Sequence, residues 1–263
     1  EAPRQPFNAS KLGDLSVEHA RYLADNTVDE TDDSGPEWLG PKVEEMRSHI
    51  FEHRSYRLVP RPSGRKAIDA KWVVKEKFQP AHKLKARFTP RGFKQVENVD
   101  YKETFAPTAK LTTMRVYLTL VAIFMLYTVQ LDVKTAFLHA PLEEEIYCDP
   151  VYDQMKVLHA LYKTLTDRRQ KEEIERQIEQ LRRGYVMLLL KATYGLKQAS
   201  RNFYLMVDRH LKDQGFKTVT SDVCYYIKHY SGGAFVIILL YVDDILIAAT
   251  HSELIATISA ILS

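Results

Sequence analysis

Hydrophobic and polar residues alternate along several stretches of the chain, and a period of two residues predicts β-strands with one buried and one exposed face. In two of these stretches the polar positions are basic, as in Lys71-Trp72-Val73-Val74-Lys75. The predicted strands lie at residues 71–75, 83–88, 127–133 and within 222–249. Residues 56–88 as a whole are expected to hold two or three strands, with turns at residues 60–64 and 79–80.

Four other segments have apolar residues at helical spacing: residues 37–53, 111–127, 166–183 and 200–213. The second is mostly apolar but spans only 17 residues, whereas crossing a bilayer takes about 18 or more. It is therefore predicted to be a buried core helix with Thr112 or Thr113 as its N-cap. No contact with a membrane is expected.

Residues 166–183 carry opposite charges four positions apart, as in Glu172 with Arg176 and Glu179 with Arg183. This pattern is typical of a solvent-exposed helix, here one that protrudes from the fold. Such a helix either has no role beyond the surface or forms the contact face of an interaction module adopted by a host.

Residues 235–249 combine β-branched residues, leucines and alanines with two adjacent carboxylates, Asp243 and Asp244. A β-hairpin with residues 242–244 at its turn accounts for this placement. Two half-buried carboxylates are costly unless a cation neutralises them, and paired aspartates suit Mg²⁺ that is shared with substrate phosphates. Asp132, near the end of another predicted strand, would complete a two-metal site for phosphoryl transfer. The alternative is a plain Asp-Asp turn.

Composition and charge narrow the function further. Hydrophobic residues make up 45% of the 263 residues, which excludes a chain disordered throughout. The net charge of +3 combines −7 over residues 1–53, +11 over 54–94 and −1 over 95–263. A folded basic segment attracts polyanions, and nucleic acid is the first candidate. The alternative is a solvated basic surface that binds no partner.

The ends of the chain and its cysteines also carry expectations. Two cysteines are too few for a disulfide scaffold and fit a reducing compartment. The acidic residues 1–36 are predicted to be a disordered leader. The absence of an initiator Met and of an apolar signal segment indicates a piece of a longer protein without a secretory signal.

Eight blocks, in this order, resemble the reverse transcriptases of copia-type LTR retrotransposons, from about Trp38 to the C-terminus. They are residues 70–75, 84–88, 91–95, 100–107, 130–138, 142–147, 194–201 and the Tyr-Val-Asp-Asp of 241–244. The resemblance implies an α+β right-hand polymerase fold, with fingers and a palm whose β-sheet and catalytic hairpin pack on helices, and with no thumb. The implied fingers are mainly 54–110 and 141–193, the palm mainly 111–140 and 194–263, within a unit of 37–263 that holds a charged helical insertion at about 152–185.

The same resemblance implies roles for individual residues. The implied catalytic residues are Asp132, Asp243 and Asp244, and these with Val133 would hold two Mg²⁺ ions, Mn²⁺ being the alternative metal. Deoxynucleoside triphosphate (dNTP) contacts are implied for Lys85, Arg87, Thr135, Ala136, Phe137, Tyr194 and Gly195. Nucleic-acid contacts are implied for Lys71, Lys75, Arg91, Lys197 and Gln198. Phe137 would exclude a ribose 2′-hydroxyl, although simple core packing is the alternative for both Phe137 and Tyr194.

The chain departs from the family pattern at several points. His139-Ala140 stands where the family usually has Asn-Gly, and Ala is expected to strain a turn that needs a positive φ. Pro90 removes a backbone donor from a predicted strand. The usual Pro-Glu-Gly-Phe stretch is not recognisable after Tyr147.

The sequence is therefore compatible with two functions. The first is a templated DNA polymerase module, and the second is an inactive, truncated remnant that only binds nucleic acid. The implied partners are an RNA or DNA template with its primer, dNTPs, and thumb and RNase H portions of the same polyprotein. Without a thumb, weak polymerisation is expected. The implied location is cytoplasmic and associated with virus-like particles, with the nucleus as the alternative.

Overall fold

The computed structural model describes residues 33–78 and 82–262. Its helices are α1 (Leu39–Arg47), α2 (Leu111–Phe124), α3 (Ala136–His139), α4 (Gln154–Thr164), α5 (Arg168–Arg182), α6 (Ala199–Asp213) and α7 (Ser252–Leu262). Helix α1 continues into a π-helical turn at Ser48–Glu52. The predicted leader lies almost wholly outside the described residues, as does the predicted turn at Gln79-Pro80.

The strands form three sheets within the described residues. They are β1 (Tyr56–Val59), β2 (Ala70–Lys77), β3 (Lys83–Pro90), β4 (Tyr127–Asp132), β5 (Pro141–Cys148), β6 (Val186–Lys191), β7 (Lys217–Val219), β8 (Asp222–His229), β9 (Phe235–Tyr241) and β10 (Asp244–Ala249). The sheet orders are β4-β10-β9-β8-β7, β1-β6-β5 and β2-β3, and every pair of adjacent strands is antiparallel. The fold is thus mixed α+β, as predicted.

The five-stranded sheet contains the predicted hairpin, formed by β9 and β10. Five consecutive residues of β9 are buried, and strands buried on both faces read as continuous apolar runs. The sheet packs on helices through a core that includes Tyr226, Phe203 and Leu211. Burial of the hairpin strands leaves the polar turn as the part that reaches the surface.

The two-stranded sheet confirms the alternation predicted for the basic stretches. Trp72 and Phe88 are buried and lie opposite each other, with ring centroids 6.3 Å apart. On the other face of the same ribbon, Val73 lies opposite Arg87 and Lys75 lies opposite Lys85. One face of this ribbon is therefore apolar and packed, and the other presents basic residues.

The charged segment folds as part of a helical pair, α4 and α5, rather than as a protruding helix. Ile174 and Ile178 of α5 are buried, and α5 packs against α4 and β1. The prediction of a protruding helix was wrong because the apolar stripe of α5 covers the three-stranded sheet. Its outer face carries the expected pair Glu179–Arg183. The expected pair Glu172–Arg176 does not form, because Glu172 pairs with Arg168 and Arg176 pairs with Glu173.

Helix α2 is not the buried core helix that its composition predicts. It begins at Leu111 after Lys110, without a side-chain cap, so the prediction of Thr112 or Thr113 as N-cap was also wrong. Only Tyr117 is fully buried in this helix, while Ile123 is 67% exposed. The helix packs with one stripe on the sheet, and its other apolar residues face outwards. Among the described residues, no helix combines the length and apolarity needed to cross a membrane.

Candidate active site

The register of the central sheet brings the three predicted aspartates to one edge. Asp132 is the last residue of β4, and the antiparallel pairing of β4 with β10 places it directly opposite Asp244. Asp243 lies in the turn between β9 and β10, and its carbonyl oxygen accepts a hydrogen bond from the Val133 N–H at 3.3 Å. Two segments more than 100 residues apart in sequence thus form a single carboxylate edge.

The hairpin turn holds an unusual backbone conformation at the residue before Asp243. Val242 has a φ of 56°, and a β-branched residue rarely adopts the left-handed region. Backbone strain of this kind persists where the surrounding structure fixes it, and it clusters at functional sites. The flanking strands β9 and β10, paired along their whole length, supply that constraint.

The electrostatics of the edge favour a cation. Burial raises the pKa of Asp243 above its ordinary value, and the negative charges of Asp244 and Asp132 raise it further. The positive charge of Arg87 acts in the opposite direction. A half-buried carboxylate that lies beside two others is neutralised most directly by a bound positive charge.

Asp244 has a partner that the sequence patterns did not single out. Gln130 Nε2 donates a hydrogen bond to Asp244 Oδ1 at 3.1 Å. The two-residue period of β4 places Gln130 on the same face as Asp132, which is the signal that could have identified it. Gln130 orients one carboxylate of the edge and leaves Asp132 and Asp243 to face a ligand.

The fit of the edge to a metal ion is partial. Within the described part of the chain, no three His, Cys, Asp or Glu side chains already converge closely enough to hold a metal. Mg²⁺, however, usually keeps several waters and takes one or two protein carboxylates together with substrate phosphates. The carboxylate oxygens of Asp132, Asp243 and Asp244 are hard donors of the kind that Mg²⁺ prefers, and one or two of them are enough for this type of site.

An aromatic and cationic group lies beside the carboxylates. The guanidinium carbon of Arg87 lies 4.3 Å from the centroid of the Tyr194 ring, and the ring of Phe137 lies 4.6 Å from the same ring, centroid to centroid. Phe137 also makes an edge contact with Phe203 of α6. The structure therefore brings together three of the predicted dNTP contacts, Arg87, Phe137 and Tyr194. Because Phe137 is only 9% exposed, its ring also packs in the core.

The segment that follows Asp132 forms a tight turn into α3. Thr135 has a φ of 52° and a ψ of 37°, in the left-handed region, and Ala136 is buried at the start of the helix. The expectation that Ala140 strains its turn was wrong, because Ala140 has a φ of −80°. The positive φ of this segment falls on Thr135, which also lies among the predicted dNTP contacts.

Gly195 allows two loops to approach closely next to Tyr194. It has a φ of 99°, and a Cβ atom at this position would lie 2.3 Å from the Pro90 carbonyl oxygen. A Cβ atom on Gly92 would likewise lie 2.0 Å from the Gly195 oxygen. Pro90 ends β3 opposite Ala70, so its missing N–H does not interrupt the ribbon. Gly195 is required by this backbone approach, and a dNTP contact by it stays a prediction.

The predicted nucleic-acid contacts fall into two groups. Lys71 and Lys75 lie on the ribbon β2–β3, on the same face as Arg87 and as Lys85, which is one of the predicted dNTP contacts. Arg91 follows the ribbon and pairs with Asp69 at 3.5 Å. These side chains form a basic surface that continues from Arg87.

Lys197 and Gln198 occupy different environments. The ammonium of Lys197 lies 4.6 Å from the Tyr101 ring centroid at the surface. Gln198 is buried, donates to the Asp100 carbonyl at 2.8 Å and accepts from Gln95 at 2.9 Å. Its amide is used within the fold, and this burial argues against the prediction that Gln198 contacts nucleic acid. Gln95 also accepts a hydrogen bond from the Lys197 N–H at 2.8 Å. The sequence patterns did not identify Gln95 as a member of this hydrogen-bond network.

A cavity of about 350 Å³ opens beside the hairpin turn. Its lining comes from the segment 104–108, from α6, and from Leu240 and Val242 of the hairpin. Val242 directly precedes Asp243 in the turn, but none of the three aspartates lines this cavity.

Comparison with known families agrees with this arrangement. The family model described as reverse transcriptase (RNA-dependent DNA polymerase) matches residues 53–171 and 171–263. The chain therefore belongs to the reverse transcriptase family, and the predicted resemblance to the enzymes of copia-type retrotransposons is confirmed.

Individual relatives are retrotransposon polyproteins. The chain is 37% identical to the retrovirus-related Pol polyprotein from transposon TNT 1-94 of Nicotiana tabacum, over 94% of the chain and 18% of that protein. It is 30% identical to the retrovirus-related Pol polyprotein from transposon RE1 of Arabidopsis thaliana, over 82% of the chain and 13% of that protein. A Ty1 Gag-Pol polyprotein of Saccharomyces cerevisiae is 26% identical over 70% of the chain and 9% of its own length. The chain thus spans less than a fifth of each of these relatives.

Proposed function

We propose that this chain is a templated DNA polymerase module that adds dNTPs to a primer 3′-hydroxyl on an RNA or DNA template. The observation that carries this proposal is the register of β4 against β10, which aligns Asp132 with Asp244 beside Asp243. Membership of the reverse transcriptase family supports the same reaction. The fold then divides into fingers, with the basic ribbon β2–β3, and a palm built on the five-stranded sheet.

Asp132 and Asp243, with the Val133 backbone and Asp244 in support, would hold two Mg²⁺ ions, or Mn²⁺ in their place. When bound, such ions lower the pKa of an attacking hydroxyl and stabilise the leaving pyrophosphate. The raised pKa of Asp243 and the charges of its neighbours support a cation at this edge. Gln130 keeps Asp244 oriented through its hydrogen bond.

The remaining residues bind and orient the substrates. Arg87, with Lys85 on the same face of the ribbon, would pair with the triphosphate, and the N–H groups of Thr135 and Ala136 would face it. Charge-assisted bonds from Arg to phosphate are among the stronger hydrogen bonds in proteins. Lys71, Lys75, Arg91 and Lys197 would contact the phosphate backbone of the template and primer.

The alternative is a module that binds primer–template without turnover. One observation favours it: within the described residues, no three carboxylates lie close enough together to hold a metal ion.

Thumb and RNase H portions of a longer polyprotein are proposed as partners, since the relatives are about five times or more the length of this chain. A cytoplasmic, particle-associated location is proposed with them.

Replacing Phe137 with Val is expected to relax selection against ribonucleotides. If the ring lies under the sugar, its removal leaves room for a 2′-hydroxyl, and the ratio of rNTP to dNTP incorporation should rise by about tenfold or more. The ratio is measured by single-nucleotide extension with dTTP and UTP. Phe124→Val, at an exposed phenyl on α2, serves as the matched control, and an unchanged ratio in Phe137→Val would assign Phe137 to core packing alone.

Replacing Arg87 with Ala should weaken dNTP binding. Loss of a charge-assisted bond to phosphate is expected to raise KM for dTTP by about tenfold. Because Arg87 opposes the rise in the pKa of Asp243, that pKa should also increase in the variant, and the acidic limb of the pH–rate profile should move to higher pH. Arg169→Ala, at an exposed residue of α5, is the control; an unaltered KM in Arg87→Ala would remove Arg87 from the triphosphate site.

The proposed function itself is tested by offering the chain homopolymer templates with matched primers. A templated polymerase should add only the complementary dNTP, and Asp132→Asn should abolish that addition while primer–template binding persists. Binding by both proteins with extension by neither would establish the binding-only alternative.

A further inference from the structure

The turn between Asp132 and α3 places a β-branched residue, Thr135, in the left-handed region. Such a conformation costs roughly 1–3 kcal/mol and persists only when surrounding contacts determine it. The turn carries the two backbone amides that are proposed to face the triphosphate. Contacts that hold the turn therefore matter for nucleotide binding.

His53 supplies the first of these contacts. The Thr135 hydroxyl lies 2.6 Å from the Lys134 carbonyl oxygen and 2.9 Å from His53 Nε2. The hydroxyl has one proton, and the carbonyl can only accept, so the hydroxyl donates to Lys134. His53 must then donate to the hydroxyl from a protonated Nε2.

His139 supplies the second contact. Its Nε2 lies 3.3 Å from the same Lys134 carbonyl oxygen, and because a carbonyl only accepts, this ring also donates from Nε2. The two imidazoles make an edge-to-face contact, with centroids 4.7 Å apart and planes at 79°. Lys191 donates to the backbone carbonyl of His139 at 3.3 Å, which fixes the far side of α3.

We propose that His53 and His139 are positioning residues that hold the Lys134–Thr135 turn in the conformation that presents its amides to the incoming nucleotide. The two rings contact the turn and each other, and they act on the nucleotide site through the turn. His53 belongs to the segment after α1, so the pair ties the N-terminal helical region to the end of β4. The inference rests on the proposed nucleotide site.

The test compares His53→Ala and His139→Ala with the unmodified chain. Each variant is expected to raise KM for dTTP by about fivefold, the effect of one hydrogen bond, while kcat changes by less than about twofold. Hydrogen–deuterium exchange of the peptide over residues 133–140 should accelerate in both. His53→Gln retains an N–H donor and should recover most of the lost affinity. His159→Ala, at an exposed histidine on α4 whose ring bonds the Met155 carbonyl of its own helix, is the matched control.

Two results would overturn the inference. Unchanged exchange over residues 133–140 in folded His53→Ala and His139→Ala would show that the imidazoles do not hold the turn. Faster exchange with an unchanged KM would show that the held turn does not serve the nucleotide. If the unmodified chain extends no primer, the proposed function fails instead. The dissociation constant for dTTP, measured by calorimetry, then replaces KM, and the same changes are expected in His53→Ala and His139→Ala.

Discussion

Replacing Asp243 with Asn should abolish primer extension and, at the same time, raise the thermal stability of the protein. Extension is expected to fall by about a thousandfold, because a site of this class depends on anionic oxygens for several kcal/mol of transition-state stabilisation. Primer–template binding should persist, since the basic ribbon is untouched. Rates come from single-turnover extension, and binding comes from fluorescence anisotropy with the same duplex.

The gain in stability follows from the direction of the pKa shift. Burial and the neighbouring aspartates raise the pKa of Asp243 in the fold, so its ionised form disfavours folding once the pH exceeds that pKa. A neutral Asn removes this cost, and Tm at pH 7.5 in EDTA should rise by about 2–4 °C. The gain should shrink as the pH is lowered through the pKa of Asp243, because the native carboxyl then becomes neutral as well. A lower Tm in Asp243→Asn at pH 7.5 would contradict this account of the carboxylate edge.

Replacing Gly195 with Ala should destabilise the fold severely. The new Cβ atom would meet the Pro90 carbonyl oxygen at 2.3 Å, and Ala would have to adopt a φ of 99°. A backbone clash combined with this conformation is expected to cost about 3 kcal/mol or more, which lowers Tm by roughly 6–12 °C in a chain of this size. Thermal unfolding followed by circular dichroism measures the change.

Gly40→Ala provides the matched control for that substitution. Gly40 lies in α1, and none of the described atoms comes within 4 Å of the place that an added Cβ atom would take. Ala should therefore stabilise the helix by about 0.5–1 kcal/mol. The two Gly→Ala changes are thus expected to move Tm in opposite directions. A Gly195→Ala protein as stable as the unmodified chain would rule out the close approach of the two loops.

Sequence patterns predicted the strands of the site because these strands follow simple burial rules. The ribbon β2–β3 has one packed face, so Trp72 and Phe88 alternate with basic residues. Strand β9 is buried on both faces and appears as an apolar run that ends at the aspartate turn. Wherever one burial rule governs a whole element, its position could be read from the sequence.

Elements with mixed environments were predicted less well. Helix α2 is mostly apolar, yet it packs only one stripe on the sheet and exposes Ile123 and Phe124. Composition reports how apolar a segment is and not which neighbours cover it. For the same reason the apolar stripe of α5 predicted a helix but not its docking against β1.

Within the candidate site, sequence patterns named candidate residues but could not give the strand register that brings them together or the surroundings of each side chain. The pairing of Asp132 with Asp244 follows from strand register, which no local pattern specifies. Gln198 was predicted to contact nucleic acid, but its hydrogen bonds to Gln95 and Asp100 hold it in the interior of the fold. The strained position proved to be Thr135 rather than Ala140, because the turn geometry of this chain differs from that expected for the family pattern.

The most direct test of the central claim is addition of the first nucleotide to oligo(dT) on poly(rA) by the 263-residue chain, with Mg²⁺ and dTTP. A single addition requires the carboxylate edge and the nucleotide site and makes no demand on processivity. The polymerase account predicts addition of at least one nucleotide, which depends on Mg²⁺ and on dTTP and is absent with Asp243→Asn. Tight binding of the duplex without any addition, in Mg²⁺ and in Mn²⁺ alike, would contradict it.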